Sequence, residues 1–334
     1  VESPPAPRDG APSTPSQRSS PLLRRVLGIL LKLTLSVGLM AFVLRDTSVA
    51  SLWAMLRRVQ PGWAIAALCA HIVMMAVSVW RWNLLLRAQH VEVPALALSE
   101  SFWIASFFNN FLPSNIGGDV VRIADTSKPA GSKTLATTVV LVDRLLGLFA
   151  LLTVAAIGAA LSRSLEVEVP GRWWLEVAAL AAAAVAIPVF AIPRLLDSAL
   201  APVRALGHPW VLERSALLQD AFARFRARPS SLVGALAGAL VVQVVIVLFY
   251  ALAARSLAVP LPLFLAGVLV PVAMAVQMAP VSINGFGVRE AVFSFFFVRF
   301  GLGVEAAVAV SLLGTALVML FSMGGGALFL MRRH

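Results

Sequence analysis

Residues 277–293 read QMAPVSINGFGVREAVF, between the apolar runs LPLFLAGVLVPVAMAV (261–276) and SFFFVRFGL (294–302). Such flanks predict a membrane helix. Yet this segment carries Pro280, Ser282, Asn284, Gly285, Gly287 and the adjacent ions Arg289 and Glu290. A single charge at a helix centre costs roughly 2.5–3.5 kcal/mol, so idle charges at that depth are not expected.

A second stretch has the same grammar. NFLPSNIGGDVVR (110–122) aligns without gaps to QMAPVSINGFGVR (277–289). An amide opens each, Asn110 and Gln277; Pro113 then falls on Pro280, Ile116 on Ile283, Gly118 on Gly285, Val121 on Val288 and Arg122 on Arg289. Proline ends a helix by removing an N–H and clashing with the preceding turn. Glycines such as Gly117, Gly118, Gly285 and Gly287 then permit the tight backbone from which a second half-helix starts. The first N–H groups of that half-helix lack helical partners and favour an anion. Arg122 and Arg289 sit about one turn further on, where either guanidinium could grip a phosphate bidentately. Non-helical backbone at membrane depth is tolerated only against protein or a wet cavity, so a cavity is expected.

Asp119, Glu290, Asp143 and Arg144 complete the intramembrane ionisable set. Neighbours on a helix point about 100° apart, so Asp143 and Arg144 are not simply each other's partner. Pairing across the two segments is expected, the carboxylates neutralising the arginines in the empty state. The competing reading is that these ions only fix helix register. Asn109, Asn110, Gln277, Ser282 and Asn284 suit broken backbone better than substrate, although Asn110 and Asn284 stay in the candidate binding set. Glu100 and Lys32 lie nearer the interface and are expected to snorkel.

Of the 334 residues, 60% are hydrophobic and 13% charged. Soluble domains carry about 25% charged residues, so composition indicates an integral membrane protein. The net charge of +11 is spread over short segments between apolar spans. That distribution suits membrane topology and argues against a nucleic-acid partner. Cys69 is the only cysteine, and the four histidines have no metal-ligand spacing. GSKT (131–134) lacks the glycine and GK order of a phosphate loop, and NGFG has no βαβ unit around it. No catalytic constellation stands out, so no enzyme activity, metal or cofactor is expected.

Residues 1–24 read as a disordered cytoplasmic tail and 25–334 as one transmembrane domain. Full spans are predicted at 26–44, 62–80, 134–161, 173–193, 231–254 and 304–330. Two further apolar regions, 95–127 and 261–300, are interrupted by the paired motifs. The fold expected is all-α: six full transmembrane helices plus two broken re-entrant hairpins. The halves 26–161 and 173–330 then form an inverted-topology repeat with both termini cytoplasmic. Arg45, Arg57 and Arg58 must face outward in this scheme, against the usual charge rule, with SLWAMLRRVQ as an interfacial amphipathic helix. The 194–229 loop has apolar residues at helical spacing and is read as helices lying on anionic headgroups, or else as a partner-binding surface.

LPSNIGGDVVR and PVSINGFGVREAVF, with LVDRLLGL between them, resemble the membrane region of lysylphosphatidylglycerol synthases, a flippase-like family, over about residues 25–330. That family usually has Glu-Arg where this chain has Asp143–Arg144. The resemblance implies a polytopic protein of the cytoplasmic (inner) membrane that moves lipids or handles their headgroups. The family's bifunctional members add a soluble acyltransferase domain, and this chain ends at His334, so transferase activity is not carried over. The resulting expectation is a transporter of an anionic lipid: a phospholipid, aminoacyl-phospholipid or polyprenyl-phosphate-linked sugar. Arg122, Arg289 and the half-helix starts would hold its phosphate. The alternatives are a membrane-embedded headgroup or glycosyl transferase, and a scaffold that docks lipid-biosynthesis enzymes.

Overall fold

The computed structural model describes residues 21–45, 48–112, 117–164, 172–191, 193–205, 208–277 and 285–332. Pro113, Ile116, Pro280, Ser282, Ile283, Asn284 and the tail before Pro21 lie outside the described residues. All regular structure among the described residues is helical. In chain order the helices are α1 (Pro21–Leu44), α2 (Val49–Arg57), α3 (Pro61–Ala88), α4 (Ala95–Phe111), α5 (Gly117–Ser127), α6 (Lys133–Ser164) and α7 (Arg172–Ala191). They continue as α8 (Pro193–Arg204), α9 (Pro209–Ala227), α10 (Pro229–Ser256), α11 (Leu263–Gln277), α12 (Val288–Arg299) and α13 (Val304–Met331).

Four segments among the described residues are long and apolar enough to cross a bilayer: Pro61–Ala88, Lys133–Leu161, Pro229–Ser256 and Val304–Met331. Each has 28 or 29 residues. At 1.5 Å per residue that is about 42 Å, against a hydrocarbon core of about 30 Å. The protein is therefore a multi-pass membrane protein. α1 and α7 fall where the first and fourth spans are predicted. The interrupted regions do break: α4 and α11 have 17 and 15 residues, and α5 and α12 have 11 and 12. None of these four reaches about 30 Å alone, and α4 packs on α5 as α11 packs on α12.

α3 and α10 pack along each other and match in detail. Each has 28 residues and begins with proline, at Pro61 and Pro229, where a missing N–H costs nothing. Each ends with a left-handed residue, His90 (φ 60°) or Ala258 (φ 56°). The following N–H then reaches back to close the last turn, Val91 to Leu86 O and Val259 to Ala254 O, in the Schellman manner. The pair is antiparallel. Gln60 N–H donates to Ser256 O at one end, and Arg228 Nη1 donates to Arg87 O at the other.

One apolar core gathers α10–α13 with Val43 and Leu52; Phe293, Phe297 and Leu269 are fully enclosed there. A second gathers Trp82, Leu85 and Leu86 of α3 with Leu135 and Val139 of α6. Phe222 and Phe225 of α9 belong to this second core, which corrects the expectation that the whole 194–229 segment lies on headgroups. The aromatic rings gain more by filling the α3–α6 groove than by floating at the interface. Gln89 Nε2 reinforces the seam by donating to Ala221 O (3.0 Å). The expected SLWAMLRRVQ helix is present as α2, its first turn closed by Ser48 Oγ accepting from Ser51 N–H (3.3 Å) and Arg57 lying over Trp53.

The Gly324–Gly325–Gly326 run lets α13 meet α4 at backbone distance. A Cβ on Gly325 would sit 2.2 Å from Trp103 O, whereas one on Gly267 would meet nothing within 4 Å. Gly325→Ala is expected to destabilise the protein by about 1–3 kcal/mol through overpacking. Gly267→Ala is expected to be neutral or mildly stabilising. Thermal unfolding of both variants in detergent checks the contrast.

Candidate functional site

The first break brings the start of α5 against the backbone of α4. Gly118 N–H donates to Asn109 Oδ1 (2.8 Å), so an amide side chain satisfies one of the open donors. A Cβ on Gly118 would lie 2.3 Å from Ala105 O, so no larger residue fits without parting the two helices. Gly117 opens the same turn beside Leu112. Asp119 follows in the first turn, where a carboxylate suits the positive end of the helix.

From Asp119 a chain of ions crosses three helices. Arg144 Nε pairs with Asp119 Oδ2, and Arg122 Nη1 lies 3.9 Å from Asp119 Oδ1. Arg122 Nη2 donates to Asp143 Oδ2 (2.9 Å), and Arg81 Nε donates to Asp143 Oδ1 (2.6 Å). The Arg122 guanidinium is further closed by Trp82 at 4.4 Å and Phe102 at 5.3 Å, within cation–π range. Arg81, Asp119, Arg122 and Asp143 are all buried, while the Arg144 side chain keeps one end half-exposed. Three arginines thus share two carboxylates. Asp143 and Arg144 are not partners, as their spacing on the helix requires.

The second break is built differently. Gly285 (φ 74°) and Gly287 (φ 82°) both adopt the left-handed backbone that favours glycine. A Cβ on Gly285 would collide with Gln277, and one on Gly287 would lie 2.7 Å from Ser36 O of α1. Glu290 reaches back so that Oε2 accepts from Gly287 N–H (2.7 Å), capping α12. Its other oxygen accepts from Ser311 Oγ (2.6 Å) and Arg289 Nη2 (3.0 Å). Arg289 also donates from Nε to Ser311 Oγ (2.8 Å) and from Nη2 to Thr315 Oγ1. Tyr250 lies beside the guanidinium.

The arginine–carboxylate contacts therefore close within each half, Arg122 with Asp143 and Asp119, and Arg289 with Glu290. This corrects the expected pairing across the halves. A carboxylate one residue away, or on the next packed helix, is reached at lower conformational cost than one beyond the α3–α10 seam.

A cavity of about 170 Å³ lies against the second constellation. Asn110 and Gln277, the two amides that open the aligned motifs, both line it, together with Arg289, Thr315, Tyr250 and His71. Arg122, Asp119, Asp143, Arg144, Glu290 and the four glycines are not in its lining, and Asn284 lies outside the described residues. Sequence reasoning missed four contributors. Arg81 was placed beyond the end of a span, yet α3 continues to Ala88. Ser311 and Thr315 have only their i, i+4 spacing as a signal. His71, held between the rings of Phe249 and Phe321, has no sequence neighbour that marks it.

A family model described as "Lysylphosphatidylglycerol synthase TM region" matches residues 29–326, a range that includes both breaks and every ion discussed above. No curated protein matches the chain.

The first ion chain makes a stability prediction. Asp143→Asn leaves Arg81 and Arg122 buried against each other with no full counter-charge, and is expected to cost about 3–5 kcal/mol. Arg144→Gln, at the half-exposed end of the chain, is expected to cost no more than about 1 kcal/mol. Unfolding of the two variants in lipid nanodiscs gives the comparison.

Proposed function

The chain belongs to the lysylphosphatidylglycerol synthase TM-region family, whose role is tied to membrane lipids, and from that premise we propose that it carries an anionic lipid across the cytoplasmic membrane. The observation that supports this most directly is the cavity between the two breaks. Arg289 lines it, and the amides Asn110 and Gln277 face it from opposite halves. A buried guanidinium that lines a low-dielectric cavity is a strong and selective partner for a phosphate oxygen. Glu290 is already occupied by three donors and keeps Arg289 in place. The lipid phosphate sits at Arg289, with Thr315, Asn110 and Gln277 as polar neighbours.

The ion chain Arg81–Asp143–Arg122–Asp119–Arg144 holds α5 against α3 and α6, and its surplus positive charge draws an anion toward that half. Gly117, Gly118, Gly285 and Gly287 act by letting the backbone turn, not by touching lipid. The topology that accompanies this reading has six crossing helices and two re-entrant hairpins, α4–α5 and α11–α12, with both termini cytoplasmic. Two observations support this topology, the first bearing on the inverted repeat and the second on the first hairpin. α3 and α10 run antiparallel with matching starts and ends, and Arg332 bonds both Glu100 in α4 and Asp125 in α5 at 2.9 and 3.0 Å. The second contact puts both legs of the first hairpin beside the C-terminal end of α13. Residues 25–334 act as one membrane unit, and transport proceeds by rocking one half against the other.

The test is translocation of headgroup-labelled phosphatidylglycerol in proteoliposomes. Arg289→Gln is expected to slow it at least about tenfold, the worth of one charge-assisted hydrogen bond. Arg122→Gln is expected to lower thermal stability more than the rate measured on the surviving folded protein. Wild-type rates in a folded Arg289→Gln protein overturn the assignment.

A further inference from the structure

A second polar cleft opens at the end of the molecule where α3 stops and α10 starts, and it shares no lining residue with the central cavity. Its volume is about 730 Å³, within the usual range for small-molecule sites. Arg87, His90, Glu92, Val93, Pro94 and Arg228 line it.

The cations here are arranged in two ways. Arg228 is fixed: Nη1 donates to Arg87 O (2.9 Å) at the C-terminal end of α3, and Nη2 lies 3.5 Å from His90 Nδ1. His90 is the left-handed residue that follows α3. The Arg87 side chain is exposed and makes no hydrogen bond or ion pair among the described residues, although Glu92 shares the cleft. Two arginines against one carboxylate leave a surplus positive charge. Two helices also begin at the rim, α4 after Pro94 and α10 after Arg228, and neither residue supplies a side-chain cap. Their dipoles add to the positive potential of the cations and oppose the negative end of α3, which also meets the cleft.

We propose that this cleft binds a phosphate ester, with Arg228 as the fixed ligand and Arg87 as the ligand that closes on it. The anion bridges the two guanidinium groups, and Glu92 lowers the affinity by its like charge. The phosphate comes either from a lipid headgroup in the adjoining leaflet or from a water-soluble ester, and the chemistry of the cleft is the same for both. The inference does not depend on the transport reading, since failure of one site leaves the other intact.

The experiment uses the full chain in nanodiscs with two arms. Glycerol-1-phosphate is titrated calorimetrically into protein held in pure phosphatidylcholine. Separately, phosphatidylglycerol retained by the protein is counted by native mass spectrometry. Arg87→Gln is expected to weaken binding about tenfold in at least one arm. Glu92→Gln is expected to strengthen it in the same arm. Both side chains are exposed and unpaired among the described residues, so folding is not at stake. A response in the first arm identifies a soluble ester, and a response only in the second identifies a lipid headgroup. Binding in neither arm, or binding indifferent to Arg87→Gln, overturns the proposal.

Discussion

A helix broken inside a membrane protein exposes backbone N–H groups that water cannot serve, and the rest of this structure is arranged around satisfying them. Both breaks solve the problem with a side chain that reaches back to the new helix start. Asn109 Oδ1 accepts from Gly118 N–H in one, and Glu290 Oε2 accepts from Gly287 N–H in the other. The two solutions have different electrostatic consequences. A neutral amide at the first break leaves Asp119 to meet arginines from α5 and α6. At the second break, the capping residue is itself the counter-ion of Arg289.

That difference separates two arginines that look alike in sequence. Arg122 is enclosed by Asp143, Trp82 and Phe102 and is the centre of a five-member ion chain. Arg289 is held by one carboxylate and two hydroxyls and still lines a cavity. Burying ions is costly unless each meets an opposite charge, so a chain in which every ion has such a partner is suited to holding helices in register. The guanidinium that lines a cavity is suited to binding. Two positions that align in sequence thus sit in unlike surroundings.

Much of this was legible from local sequence. Pro, Gly and amide spacing located both breaks, because chain geometry at a break depends on the few residues that form it. Gly287 shows the limit of that logic. Its left-handed backbone could be anticipated from local chemistry, but the approach of Ser36 O from α1 to within 2.7 Å of where a Cβ would stand could not. Arg81 was hidden for a related reason. A charge near the end of an apolar run reads as the end of the span, and only a partner 62 residues away lets the helix continue through it.

The sequence by itself determined that this is a helical membrane protein with two interrupted helices. Apolar content, helix-breaking residues and charge placement act over a turn or two and need no partner. Tertiary structure decided which carboxylate each arginine meets, that Phe222 and Phe225 fill a core instead of lying at an interface, and that Asn110 and Gln277 face one cavity. The physical reason is that ion pairing and burial depend on where packed helices bring distant residues, and many packings share the same local pattern.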